Sequence, residues 1–171
     1  MNENQLTGNS KSAIDFLGKE WKYDCMGCAI AKHALIPPGG LIYEDKNFTL
    51  QQDPEIPIKG FLIINIKRHV HSITELSEEE RNALGQLLTT AVNALKNLNI
   101  TNEVTIIQEE RSKHYHVWIF PTHSWMEEKI GKGVFHLKEM CEYAKKNASD
   151  EEKMEIVETV EKLKKEFKNS Y

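Results

Sequence analysis

Apolar and polar residues alternate at short period through the middle of the chain, then switch to a helical period, then return. Residues 41–44 and 48–52 each read as a strand, with Asp45-Lys46-Asn47 as the hairpin turn between them. Pro54 and Pro57 interrupt the pattern. Phe61-Leu62-Ile63-Ile64-Asn65-Ile66 is a β-branched run and predicts a central strand. Ser77-Glu78-Glu79-Glu80 is a capping box, in which the serine and the third-position glutamate satisfy each other's backbone N–H groups. It opens a helix with Leu84, Leu87, Leu88, Ala91, Leu95 and Leu98 on one face. Asn99 and Thr101-Asn102 end that helix, residues 104–108 form another strand, and residues 109–113 a short polar loop. Lys113-His114-Tyr115-His116-Val117-Trp118-Ile119-Phe120-Pro121 then alternates at period two and predicts a last strand.

The two ends read differently. Residues 1–12 are a polar, disordered lead, with residues 12–17 as a short helix carrying Ile14, Phe16 and Leu17. A second helical stretch covers residues 29–34, and Pro37-Pro38-Gly39-Gly40 is a turn. Beyond Pro121, residues 134–146 place Leu137, Cys141 and Ala144 at helical spacing. Ser149 and Glu152 form a second capping box before a helix with Ile156, Val157, Val160, Leu163 and Phe167 on one side. These two helices predict a C-terminal hairpin that covers the sheet or a neighbouring subunit. Short connections between strands favour an antiparallel sheet with packed helices, an α+β architecture. The expected organisation is a lead over 1–12, a main domain over 13–125 and a helical extension over 126–171 packed on that domain.

Composition narrows the function classes. The 171 residues suffice for one domain with a full core, and 28% charged with 40% apolar residues is a globular balance. A net charge of −4 argues against a nucleic acid polymer as partner. No apolar run approaches the roughly 20 residues of a membrane span, and the polar start does not resemble an export signal. Three cysteines, Cys25, Cys28 and Cys141, fit a reducing cytoplasm and not a disulfide scaffold.

The chemistry lies in the histidines and the cysteine pair. On a strand, His114 and His116 share a face about 7 Å apart. Two such imidazoles can both bind one metal, or one can be held while the other reacts. Cys25-x-x-Cys28 is a redox pair, half a zinc site or two buried thiols. No βαβ context favours the first, and Cys141 alone cannot complete a zinc ribbon. A zinc site would draw its other ligands from His33, His69, His71, His114, His116, His123 and His136. If the strand before His69 and the strand that carries His114 near its start are neighbours, those two histidines converge with Cys25 and Cys28, and His71 is the fallback ligand. His116 would remain free. A neutral imidazole is a nucleophile at pH 7 and forms a labile phosphoramidate on phosphorus. Gln108, Arg111, Ser112 and Lys113 lie just upstream and can offer hydrogen bonds and positive charge to a phosphate.

Taken in order, Cys25-x-x-Cys28, Leu41-Ile-Tyr-Glu-Asp45, Asp53, the 60–69 segment ending in His69, the capped helix, Gln108 and His114-Tyr-His116-Val-Trp-Ile-Phe-Pro121 resemble the histidine triad superfamily of nucleotide hydrolases and transferases. The resemblance covers roughly residues 25–121. It implies a five-stranded antiparallel sheet with packed helices, often as a homodimer. It implies structural zinc on Cys25, Cys28, His69 and His114, His116 as nucleophile, Asp53 on the ribose hydroxyls and Gln108 near phosphate. The bacterial-type substrates so implied are dinucleoside polyphosphates such as diadenosine tetraphosphate, or nucleoside phosphoramidates. A transferase of the galactose-1-phosphate uridylyltransferase kind and a non-catalytic nucleotide-binding module are the alternatives. The chain departs from the pattern twice. Trp118 stands where the third triad histidine would, as a substrate contact without a titratable proton. The 109–113 loop is short, with Arg111 at the usual serine position and Ser112 one further on.

Overall fold

A computed structural model describes residues 10–170. Seven strands and five α-helices are present among them. A two-stranded hairpin, β1 (Lys11–Ile14) and β2 (Glu20–Tyr23), leads to a short helix α1 (Met26–Ala31). Strands β3 (Leu41–Glu44), β4 (Phe48–Gln52) and β5 (Leu62–Ile66) precede the long helix α2 (Glu78–Asn97). Strands β6 (Val104–Ile107) and β7 (His116–Pro121) follow, and α3 (Ser124–Lys129), α4 (Leu137–Asn147) and α5 (Asp150–Ser170) complete the chain. The main sheet is antiparallel with order β3-β4-β5-β7-β6, so β5 is the central strand, as its β-branched composition predicts.

Strand alternation divides the sheet into two faces. Phe48, Leu50, Leu62, Ile64, Ile66, Val117 and Ile119 point to one side and are buried against Leu87, Ala91 and Leu95 of α2 and Val160, Leu163 and Phe167 of α5. Burial of each large side chain there is worth roughly 1.5–3 kcal/mol. The capping box that opens α2 is formed: Ser77 Oγ accepts from Glu80 N at 3.1 Å, and Glu80 Oε2 accepts from Ser77 N at 2.8 Å. The Glu80 carboxylate is also gripped by Arg68 through Nε at 2.7 Å and Nη2 at 2.8 Å, which holds its pKa down to about 2. Arg68 adjoins His69, so this grip ties the exit of β5 to the start of α2.

The other face carries Thr49, Gln51, Ile63, Asn65, Ile107, His116 and Trp118. Cross-strand pairing arranges them in rows: Thr49 opposite Asn65 opposite His116, and Gln51 opposite Ile63 opposite Trp118 opposite Ile107. A second apolar cluster of Ile58, Phe61, Phe120, Met126, Met140 and Ala144 closes one end of this face under α3 and α4. Helices α4 and α5, joined through Ala148 and Ser149, therefore serve different clusters, and each is part of the core of the single fold.

Several expectations are corrected at the N-terminal end. Residues 12–17 are not helical, and Lys11 and Ser12 belong to β1 and not to a disordered lead; residues 1–9 of that lead lie outside the described residues. Asp15 explains the difference. Its Oδ1 accepts from Leu17 N at 3.0 Å and Lys19 N at 2.9 Å, and its Oδ2 accepts from the Trp21 indole at 3.1 Å. A buried carboxylate that takes local amides builds a turn in place of a helix, and Gly18 supplies its positive φ of 89°. Helix α1 begins at Met26, three residues before the predicted 29–34 stretch, so Cys25 is its N-cap and Cys28 lies in its first turn. Helix α3 straddles the expected boundary at 125. His114 precedes β7, which begins at His116.

Candidate metal centre and active site

Cys25 and Cys28 are presented by the first turn of α1, His69 by the segment leaving β5, and His114 by the residue pair entering β7. Because β5 and β7 are neighbours, the two histidines meet at one end of the sheet, and the cysteines close over them. The four ligand atoms all lie within 4.8 Å of one another. Cys25 Sγ is 3.6 Å from His69 Nδ1 and 3.3 Å from His114 Nδ1. Cys28 Sγ is 3.2 Å and 3.5 Å from the same atoms, and the two Nδ1 atoms are 3.3 Å apart. A tetrahedron with zinc–sulfur bonds of about 2.3 Å and zinc–nitrogen bonds of about 2.05 Å has edges of about 3.6 Å between S and N and about 3.3 Å between two N atoms. The observed separations match those edges. The donor set, two thiolates and two imidazoles, suits a structural zinc ion: the residues form a closed zinc-type site.

The second shell fixes the ligand form. His114 Nε2 donates to the Ile66 carbonyl at 2.8 Å, so Nδ1 is left as the lone-pair nitrogen. Burial lowers the His114 pKa and favours the neutral ring that a metal needs. Burial, reinforced by neighbouring Cys25, pushes the Cys28 thiol up to about 11, an environment that a divalent cation would reverse. Gly27 sits between the two cysteines because nothing larger fits: a Cβ there would stand 2.5 Å from Asn65 Oδ1 and 2.5 Å from His114 Cδ2. Asn65 Nδ2 donates to the Gly27 carbonyl at 3.1 Å, which seats α1 on β5.

His116 lies outside the metal cluster, which separates it from a shared-metal role. Its Nδ1 donates to the His114 carbonyl at 2.9 Å, leaving Nε2 on the opposite edge of the ring as the unprotonated nitrogen. His116 lines a cleft of about 670 Å³ together with Gln51, Asp53, Ile63, Asn65 and Trp118 on the sheet, Met26 and Ile30 on α1, and Lys11 and Tyr23 on the N-terminal hairpin. That volume suits a small organic ligand. Asp53 is buried just past β4, with Oδ1 accepting from Glu55 N and Ile56 N, each at 2.8 Å. Burial raises its pKa to about 7 despite those two bonds. Trp118 is tilted against His116 with ring centres 5.9 Å apart, and it meets Phe61 edge-on at 5.4 Å.

The polar loop divides. Ser112 lines the cleft, and its Oγ lies 2.9 Å from the His114 carbonyl oxygen that also receives His116. Arg111 lines an adjoining pocket that shares Ser112, His116 and Trp118 with the cleft, and there it pairs with Glu109 at 3.0 Å. Gln108 lines neither cavity. It follows Ile107, the last residue of β6 and the partner of Trp118, and its buried Nε2 has no hydrogen-bond partner. His71 is 5.3 Å from His69 between ring centres but is not in the ligand cluster, so the fallback is not needed. Lys113 of the polar loop lines the cleft beside Ser112, while Met26, Gln51 and Asn65 are cleft residues that the sequence reading does not single out. Gln51 and Asn65 carried a signal, since each is an amide inside a strand of otherwise buried residues.

No family model matches the sequence, and no curated protein matches it. Solved structures do. A zinc-bound histidine triad family protein from Mycobacterium smegmatis is 15% identical, with 86% of this chain and 97% of that chain covered at a TM-score of 0.60. A hypothetical histidine triad nucleotide-binding protein from Sulfolobus tokodaii is 18% identical, covering 84% and 94% at 0.59. A member of the same family from Bacillus subtilis is 16% identical, covering 82% and 96% at 0.54. At such identities the likeness is one of backbone architecture, and on that ground the chain has the histidine triad fold.

Proposed function

We propose that the chain is a zinc-bearing nucleotidyl hydrolase of the histidine triad superfamily, acting on dinucleoside polyphosphates or nucleoside phosphoramidates. One observation carries the reading: His116 lines the cleft with its Nδ1–H committed to a backbone carbonyl, so Nε2 is the nitrogen left to act as nucleophile. Nε2 attacks the α-phosphorus, forming a P–N bond as the P–O or P–N bond to the leaving group breaks. Water then attacks the same phosphorus. The P–N bond to His116 breaks, its electron pair returns to Nε2, and the nucleoside monophosphate leaves.

The surrounding residues have separate tasks. Zinc held by Cys25, Cys28, His69 and His114 would cross-link α1 to the strand ends and take no part in bond making. That cross-link positions the His114 carbonyl and, through it, His116. The Asp53 carboxylate accepts from the ribose hydroxyls. Lys113 and, from the adjoining pocket, Arg111 offer donors to phosphate oxygens, while the Ser112 hydroxyl, donated to the His114 carbonyl, holds the loop beside them. Gln108, at the end of β6 with a buried Nε2 that has no partner, is a further phosphate donor in this reading. Trp118 shields the imidazole and supplies no proton. The reading also carries a cytoplasmic homodimer, in keeping with three free thiols and an edge strand β6 that exposes Ile106. No described helix is long and apolar enough to cross a membrane.

The test is diadenosine tetraphosphate hydrolysis by wild type and His116→Ala, with zinc measured in both. The expected result is a loss of at least about a thousandfold in kcat/KM with zinc unchanged. Equal turnover removes His116 from the chemistry. Tight nucleotide binding with no turnover by wild type would instead favour the non-catalytic module.

A further inference from the structure

The floor of the cleft holds an amide whose hydrogen-bonding capacity the fold leaves unused. Three side-chain amides lie on β4 and β5. Gln52 is engaged at both ends, donating to the Ile58 carbonyl at 2.9 Å and accepting from Gly60 N at 3.2 Å. Asn65 spends its Nδ2 on the Gly27 carbonyl and Thr49 Oγ1. Gln51 is only 1% exposed, and its Oε1 is buried with no hydrogen-bond partner. Alternation points Gln51 to the cleft side, where Met26, Ile30 and Ile63 supply apolar walls beside it. A buried acceptor without a donor is costly to folding and is a common mark of a binding role.

We infer that Gln51 is a specificity residue, its Oε1 accepting from an amino group on the base of the bound nucleotide. This rests on the nucleotide reading above and adds a discrimination to it. The position fits. Gln51 is two strands and one rung from His116, about 12 Å between Cα atoms by sheet spacing. A nucleoside monophosphate with its phosphorus at His116 spans that interval once both side chains reach inward. A flat heteroaromatic ring suits the apolar walls, and a ring bearing an exocyclic amino group donates where Oε1 accepts. An analogue lacking the amino group leaves the acceptor unpaired and is rejected for that reason.

The experiment is calorimetric titration of the full chain with adenosine 5′-monophosphate and with purine ribonucleoside 5′-monophosphate, which lacks the amino group. Wild type should bind the first at least about tenfold more tightly. Gln51→Met, similar in length and without an acceptor, should bind the two equally. Equal binding of the two by wild type overturns the Gln51 assignment while leaving nucleotide binding intact, and so does undiminished preference in Gln51→Met. Failure of wild type to bind either nucleotide overturns the nucleotide reading itself, and this assignment with it. The wild-type comparison stands even where the variant fails to fold.

Discussion

His116 Nδ1 donates to the carbonyl oxygen of His114 at 2.9 Å, while the His114 ring is itself fixed by donating to Ile66 at 2.8 Å. Two histidines of one motif are thus coupled through a single backbone group. One faces a cysteine pair and the other faces the cleft. Any change at the metal cluster should therefore be felt as a misplacement of the reactive imidazole, without direct contact between metal and substrate.

Cys28→Ala should abolish stoichiometric zinc and lower stability by about 4 kcal/mol or more, since loss of a structural metal is among the largest single-site effects. For a chain of this size that is a fall of about 10 °C in Tm. Atomic absorption together with calorimetry checks both. Full zinc content in the variant would show that the metal is held elsewhere.

Gly27→Ala should be far worse than Gly85→Ala. The first places a methyl group 2.5 Å from Asn65 Oδ1 and 2.5 Å from His114 Cδ2, whereas the second meets nothing within 4 Å. Overpacking at Gly27 should cost about 1–3 kcal/mol and weaken zinc binding. Gly85→Ala, inside α2, should stabilise by about 0.5–1 kcal/mol. Urea denaturation of the two variants decides, and equal stabilities would contradict the packing described around α1.

Asp53 should make the empty protein less stable as pH rises. Burial raises its pKa from 3.8 to about 7, so the folded state holds this proton more tightly than the unfolded chain does. Stability then falls between about pH 4 and pH 7, by a few kcal/mol at most, and the loss is complete above pH 7. Lys145 and Glu55, paired above the site at 3.6 Å, modulate the effect in opposite directions. Asp53→Asn keeps an acceptor for Glu55 N and Ile56 N and should remove this slope, gaining stability at pH 8. Nucleotide binding should show the reverse trend: ribose hydroxyls donate to the ionised form, so wild-type affinity rises through pH 7 and the variant's does not. A flat wild-type affinity between pH 6 and pH 8 would contradict a ribose contact at Asp53.

Much of this was legible in the sequence because it is written locally. The capping box at Ser77 and Glu80 specifies the start of α2 within four residues. The β-branched run before His69 marks the central strand, and Cys25-x-x-Cys28 with His69 and His114 names the ligand set once β5 and β7 are adjacent. The misses turn on side-chain hydrogen bonds and sheet pairing that hydrophobic periodicity does not encode. Asp15 turns residues 12–17 into a hairpin by capturing backbone amides and the Trp21 indole of the facing strand. Gln108 follows the last paired residue of β6, Ile107, so sheet pairing does not reach it. Gln51 and Asn65 look like interruptions of a core until the sheet order puts them in rows with Trp118 and His116.

The most direct measurement of the central claim is rapid alkaline quenching of wild type during turnover of diadenosine tetraphosphate, followed by peptide mass mapping. The account predicts a nucleoside monophosphate attached to the peptide at His116 and its absence in His116→Ala. Steady hydrolysis with no adduct, or an adduct on any other residue, would contradict it.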